Sequence, residues 1–267
     1  MTPGVVRLDA PADALLTRFS VAWVEDKAVE RKVRRSVWLA VACLAAVFVV
    51  MVVFHAPEVA MVAGLLMVFF VVSAYRYHRL DIEDRKLQTV LRVLKVLRAD
   101  IPRAQRVALT VDLRAFTAGA RTRNGRVTRY QHHWLDLTTT LADGNTIALG
   151  VTDRVKQKSK RKRTRQISHS EVSIGVRFAK RYRPIGPIAD ALRGHAPGVG
   201  QPGPFTPDAG DHGPEAERRL EASYRTRPRE GAPAAAPPWD GLATADTVLA
   251  TVRHVYRGIA AAQRAGG

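Results

Sequence analysis

Cysteine is nearly absent from this 267-residue chain: Cys43 stands alone, inside an apolar run. A disulfide within one chain is excluded, and no Cys/His spacing suits a metal ion. The usage fits a reducing compartment. The sequence also lacks a G-x-S-x-G elbow, a phosphate loop and a dinucleotide fingerprint. Acidic residues are scarce where basic ones are dense: residues 114–183 hold 17 Lys and Arg against 4 Asp and Glu. The flanks are close to balanced, at 16 against 11 in residues 1–113 and 9 against 9 in residues 184–267. A block of one sign attracts polyanions, whether nucleic acid, anionic lipid or an acidic protein face.

What is present first is apolar length. Val37–Phe54 is 18 residues without a charge, reaching about 27 Å as a helix. "HAPE" follows at 55–58, and Val59–Tyr75 gives 17 more uncharged residues. A bilayer core is ~30 Å thick, so the pair predicts a transmembrane hairpin over 36–76, with spans 37–54 and 59–75. Pro57, His55 and Glu58 suit the turn between them. Basic residues flank the outer ends (Lys27, Arg31, Lys32, Arg34 and Arg35; Arg76, Arg79, Arg85 and Lys86) and predict both termini on the cytoplasmic side.

Around this hairpin the pattern predicts further elements. Residues 1–35 read as a cytoplasmic amphipathic helix from Asp9, with Leu15, Leu16, Phe19 and Trp23 as its stripe. Residues 80–101 read as a juxtamembrane helix; Leu80, Leu87, Leu94 and Ile101 recur every seven residues, which suits either packing on the following domain or a homodimer seam. From Arg106 the period becomes two. Val107, Leu109, Val111 and Leu113 alternate; "RNGR" and "ADGN" mark turns; a third turn is expected near "SHSE". This predicts an antiparallel β-meander of about four strands over 104–183. Residues 184–240, rich in Pro, Gly and Ala, read as a disordered linker. Residues 243–264 read as a C-terminal amphipathic helix with a stripe of Val248, Val252, Val255, Tyr256 and Ile259, either docking on a partner or returning to its own domain. The expected fold class is thus α+β, a two-helix transmembrane hairpin with a β-meander domain and flanking helices.

The candidate binding residues lie in "DRVKQKSKRKRTRQ" and the first hairpin: Arg154, Lys156, Lys158, Lys160, Arg161, Lys162, Arg163, Arg165, Arg121, Arg123 and Arg126. Read as one strand, the stretch puts Lys156, Lys158, Lys160 and Lys162 on one face and Arg161, Arg163 and Arg165 on the other. No catalytic residue is expected. His132 and His133 are adjacent, so a strand points them to opposite faces and they chelate poorly. Asp136, Asp143 and Asp153 are the available acids, and Ser168–His169–Ser170 lacks a base and an oxyanion site. No metal or cofactor is expected.

The layout, with the "LADGNTIALGVTDRVKQK" hairpin, resembles uncharacterised bacterial inner-membrane proteins that carry a two-helix hairpin and a small basic cytoplasmic β domain; a pleckstrin-like roll is similar in layout but has more strands. The resemblance implies a multi-pass inner-membrane protein. The expected function is a membrane-anchored, non-enzymatic binding or scaffold protein whose basic β domain contacts anionic lipid or an acidic protein partner. Alternatives are an accessory subunit of a membrane transport or envelope complex, and a membrane-tethered nucleic-acid binder.

Overall fold

The computed structural model describes residues 4–51, 57–78, 83–160, 163–179, 201–202, 219–226 and 242–265. In chain order the elements are β1 (Val5–Pro11), α1 (Ala12–Val49), α2 (Pro57–His78), α3 (Asp84–Leu97), β2 (Arg106–Asp112), a short 3-10 helix (Phe116–Ala118), β3 (Ala120–Asn124), β4 (Val127–Thr140), β5 (Thr146–Lys160), β6 (Arg163–Arg177), β7 (Gln201–Pro202), β8 (Arg219–Arg225) and α4 (Ala245–Ala265). They fall into two units, Gly4–Thr17 with Glu83–Gly267 and Met1–Pro3 with Arg18–Ile82.

The first unit is one antiparallel sheet in the order β1-β2-β4-β5-β6-β8-β7, with β3 beside β4. Residues directly opposite one another share a face, so the register shows where the core lies. Leu109, Leu137, Leu149 and Ile174 form one buried rung, and Val111, Leu135, Val151 and Val172 the next. α3 offers Leu87, Val90, Val93, Leu94 and Leu97, all buried and spaced three or four apart as a helix face requires. α4 lies on α3 and reaches β6. Its Val248, Val252, Val255 and Ile259 are buried. At the β3–β4 turn Gly125 takes a φ of 55°, a left-handed conformation open to glycine. Gly119 has a different reason: a Cβ there would meet the Gln131 carbonyl oxygen at 2.3 Å.

Several expectations need correction. No helix among the described residues is long and apolar enough to cross a membrane. The transmembrane hairpin, the inner-membrane location, the termini assignment and the resemblance built on them are therefore overturned. The fold class is α+β, an antiparallel sheet with four helices among the described residues. Residues 5–11 are a strand: "VVRLDAP" alternates and pairs Val6 with Val111 and Leu8 with Leu109. The dimer seam expected on 80–101 is occupied within the chain, because the apolar face of α3 is buried in its own unit. Most of the expected linker, 184–240, lies outside the described residues, but 219–225 forms β8 and pairs with β6, burying Tyr224. The turn expected near "SHSE" is inside β6; the reversal comes earlier, between Lys160 and Arg163.

Because α4 packs on α3 with Val255 buried, Val255→Asp buries an unpaired charge and should cost ~3–5 kcal/mol. Urea unfolding of the full chain should show that loss equally at low and high protein concentration; loss confined to high concentration marks a docking role between molecules.

Candidate functional site

Two clusters of polar side chains stand out, one inside the sheet unit and one on its surface. The inner cluster begins one rung beyond Val111 and Val151. His132, Asp153 and Ser170 are direct partners there, all on the inner face and all buried. The first turn of α3 places Arg85 and Lys86 against them. Arg85 Nη2 donates to Asp153 Oδ2 at 2.5 Å, and its Nη1 donates to the Ala243 carbonyl at 2.8 Å. Ser170 Oγ donates to Asp153 Oδ1 at 2.5 Å and accepts the Ala243 amide at 2.7 Å. One ion pair thus ties α3, β5, β6 and the residues just before α4. Lys86 is wholly enclosed, and its amine donates to the Asp112 carbonyl (3.3 Å), the Arg114 carbonyl and His132 Nδ1 (3.3 Å). Both cations stand over the Trp134 ring, at 5.5 and 5.8 Å from its centroid.

Burial opposes the charge on both cations. For Arg85, Asp153 and Glu83 more than offset it, and its pKa lies above the usual value. For Lys86 burial prevails over Glu83 and Asp153, and its pKa falls. Burial and Lys86 also lower His132, against the pull of Asp112. Since Nδ1 faces the Lys86 amine, the ring proton belongs on Nε2, 3.0 Å from Asp112 Oδ2 though off the line of a hydrogen bond. Asp112 itself, despite burial, is held well below the carboxylate range by hydrogen bonds from Arg114 and by the nearby His132 ring. Ser, His and Asp therefore share a rung without forming a nucleophilic relay: the Ser170 hydroxyl bonds Asp153 and Ala243, while His132 turns to Lys86 and Asp112. This cluster holds the fold together. His133 points the other way, exposed, between Thr152 Oγ1 at 2.8 Å and Asp136 Oδ2 at 2.7 Å.

The surface cluster is basic, and the hairpin creates it. Because β5 reverses between Lys160 and Arg163, Lys158 pairs with Arg165 and Lys156 with Ile167, while Arg129 of β4 pairs with Lys156. Lys156 and Lys158, expected on the face opposite Arg165 in one strand, are thereby folded onto one face of a hairpin with it. Arg129, Lys156, Lys158 and Arg165 are exposed together, and among the described residues none has an ion-pair partner. Val127 and Ile167, half-buried, lie on the same face at their sides. On the other face of the hairpin Gln157 Nε2 donates to Gln166 Oε1 at 3.2 Å. Arg154 is less available, since its Nη2 lies 2.7 Å from Glu171 Oε2. Arg121 and Arg123 are exposed but pair with Tyr130 and Thr128, on the opposite face, and Arg126 sits in the β3–β4 turn. Lys160 and Arg163 close the hairpin as partners, and Arg161 and Lys162 lie outside the described residues. The sequence counts Arg129 among the basic residues of the first hairpin but does not place it with Lys156, and it gives no sign of Val127 and Ile167; the register brings them together. The stripe Val248, Val252, Val255 and Ile259 is internal, with Tyr256 half-buried and its phenol raised by burial.

The chain matches no known protein family, no curated protein and no solved structure.

Asp153→Ala leaves Arg85 buried without its partner and should cost ~3–5 kcal/mol in urea, whereas Arg85→Met with Asp153→Leu should recover much of that loss. Stability should also fall with acid. The folded pKa of His132 is depressed, so the unfolded chain takes up its proton first as pH drops through about 6.5, the ordinary histidine value. His169 is shifted the same way, by burial and by Arg225 and Arg154. Unfolding free energy measured from pH 8 to pH 5 should decline, and His132→Gln should flatten that decline; an unchanged slope excludes the assignment.

Proposed function

We propose that this protein is a non-enzymatic binding protein whose basic sheet face, Arg129, Lys156, Lys158 and Arg165 beside Val127 and Ile167, captures an acidic segment of a protein partner. The observation that carries this reading is the mixture on one face. Four exposed cations, none with an ion-pair partner among the described residues, offer long-range attraction. Val127 and Ile167, at the ends of the two rungs, supply apolar contact beside them. A phosphate backbone gains nothing from the apolar pair, and single-stranded nucleic acid needs aromatic rings to stack on. The nearby rings are elsewhere: Trp134 is buried, and Tyr130 lies on the opposite face with Phe116 edge-on at 5.5 Å. The anionic leaflet considered from sequence was within reach because of the anchor, and that argument goes with the anchor. The accessory-subunit alternative loses the same support.

Fluorescence anisotropy with a labelled peptide of alternating Glu and Val, at ~0.15 M salt, tests this against duplex DNA. The full chain should bind the peptide, and Lys156→Gln/Lys158→Gln/Arg165→Gln should weaken it roughly tenfold. Ile167→Ser should weaken it further, with little change in salt dependence. Tighter binding of duplex DNA, with a steep salt slope, turns the reading to nucleic acid.

A further inference from the structure

The helical unit presents a surface that the basic face does not explain. From residue 33 onward the covered positions of α1 are 33, 36, 40, 43 and 47, and in α2 they include 63, 67, 70, 74 and 77. Alternating steps of three and four place each set on one narrow stripe. Lys32 Nζ stands 5.9 Å from the Tyr77 ring, which brings the start of one apolar stretch beside the end of the other and makes the pair antiparallel. Outside those stripes the helices are exposed and still apolar: Trp38, Phe48, Met61, Leu65 and Phe69 are each more than 60% accessible. No Asp, Glu, Lys or Arg occurs from Val37 to Val49 or from Val59 to Tyr75.

We infer that this surface is a homodimer interface, in which the α1–α2 hairpins of two copies form a four-helix bundle. Seventeen large apolar side chains of the two helices, from Val37 to Tyr75, are exposed, as is Met51 just beyond α1. At about half exposure each, they present on the order of 1,000 Å² of apolar surface. A monomer's largest patch is usually ~300–600 Å², and each side of a stable interface contributes ~800 Å². The partner must match a surface without charge, roughly 20–26 Å long, made of two antiparallel helices. A second copy of the same hairpin has that length, that polarity and that lack of charge. A two-fold axis lets one patch serve both sides, and a four-helix bundle covers the outer arc that a two-helix pair leaves open. A Cβ built at Gly64 would meet nothing within 4 Å.

Sedimentation equilibrium on the full chain, alone and with neutral phosphatidylcholine vesicles, decides the matter. Twice the chain mass is expected, with no protein carried by the vesicles on flotation. Leu44→Glu/Leu65→Glu should weaken the dimer by ~100-fold or more, since each copy would bury two unpaired carboxylates. Far-UV circular dichroism should stay unchanged, because both positions are exposed in the single chain. Lys156→Gln/Lys158→Gln should leave the mass unaltered. A monomer at all concentrations, flotation with the vesicles, or a dimer indifferent to Leu44→Glu/Leu65→Glu overturns the inference.

Discussion

The ion pair between Arg85 and Asp153 is the contact on which the sheet unit depends. Asp153 has no exposed surface, and its two oxygens are divided between the guanidinium and the Ser170 hydroxyl. Arg85 also donates to the Ala243 carbonyl, and Ser170 accepts the Ala243 amide. Four parts of the chain distant in sequence therefore meet at one carboxylate. A buried pair of this kind adds little net stability over an apolar equivalent, but it has directional demands that apolar packing lacks. Leucine and valine faces on α3, α4 and the sheet could slide past one another at small cost. A bidentate pair with a shared hydroxyl fixes where each must stop.

The same geometry separates the inner and outer faces by function. Inside, each charge has partners and little access to water. Outside, the four cations of the basic face are exposed and have no ion-pair partner among the described residues. The difference comes from register. The β5–β6 reversal folds the arginine arm back beside the lysine arm, and β4 brings Arg129 alongside. Charge thus gathers on one face of the hairpin, while on the other Gln157 and Gln166 bond one another.

Parts of this were legible in the sequence. Val107, Leu109 and Val111 announced β2 by alternation, and the stripe Val248, Val252, Val255 and Ile259 announced α4. "RNGR" marked a turn, although the closing pair is Asn124 with Val127, so Gly125 and Arg126 are its central residues. Other features were hidden for physical reasons. Asp9 and Pro11 carry the local chemistry of a helix start, which masked a strand that gains its stability from β2 rather than from itself. β8 is short and polar and exists because β6 offers it an edge. The β5–β6 reversal lacks the Gly, Pro or Asn that usually marks a turn. Lys86 looked like one more basic flank, and its burial could not be guessed before its three acceptors were brought together. The uncharged runs read as membrane spans because length and hydropathy were the only measures available, and no described helix is long and apolar enough to cross a membrane.

The bulge in β4 has a consequence for how such a sheet can change. His133 pairs with Thr152 and Leu135 with Val151, so Trp134 is an extra residue between rungs. It lets Trp134 and Leu135, adjacent in sequence, both be buried, and it reverses the parity of β4 along its length. Odd-numbered residues such as Arg129 and His133 face outward before it, and the even-numbered Asp136 faces outward after it. Loss of a single residue here would turn one half of the strand inside out, exchanging the basic face for the core. The sheet's length is therefore quantised on this strand: paired additions can lengthen it, while single insertions or deletions are confined to its turns.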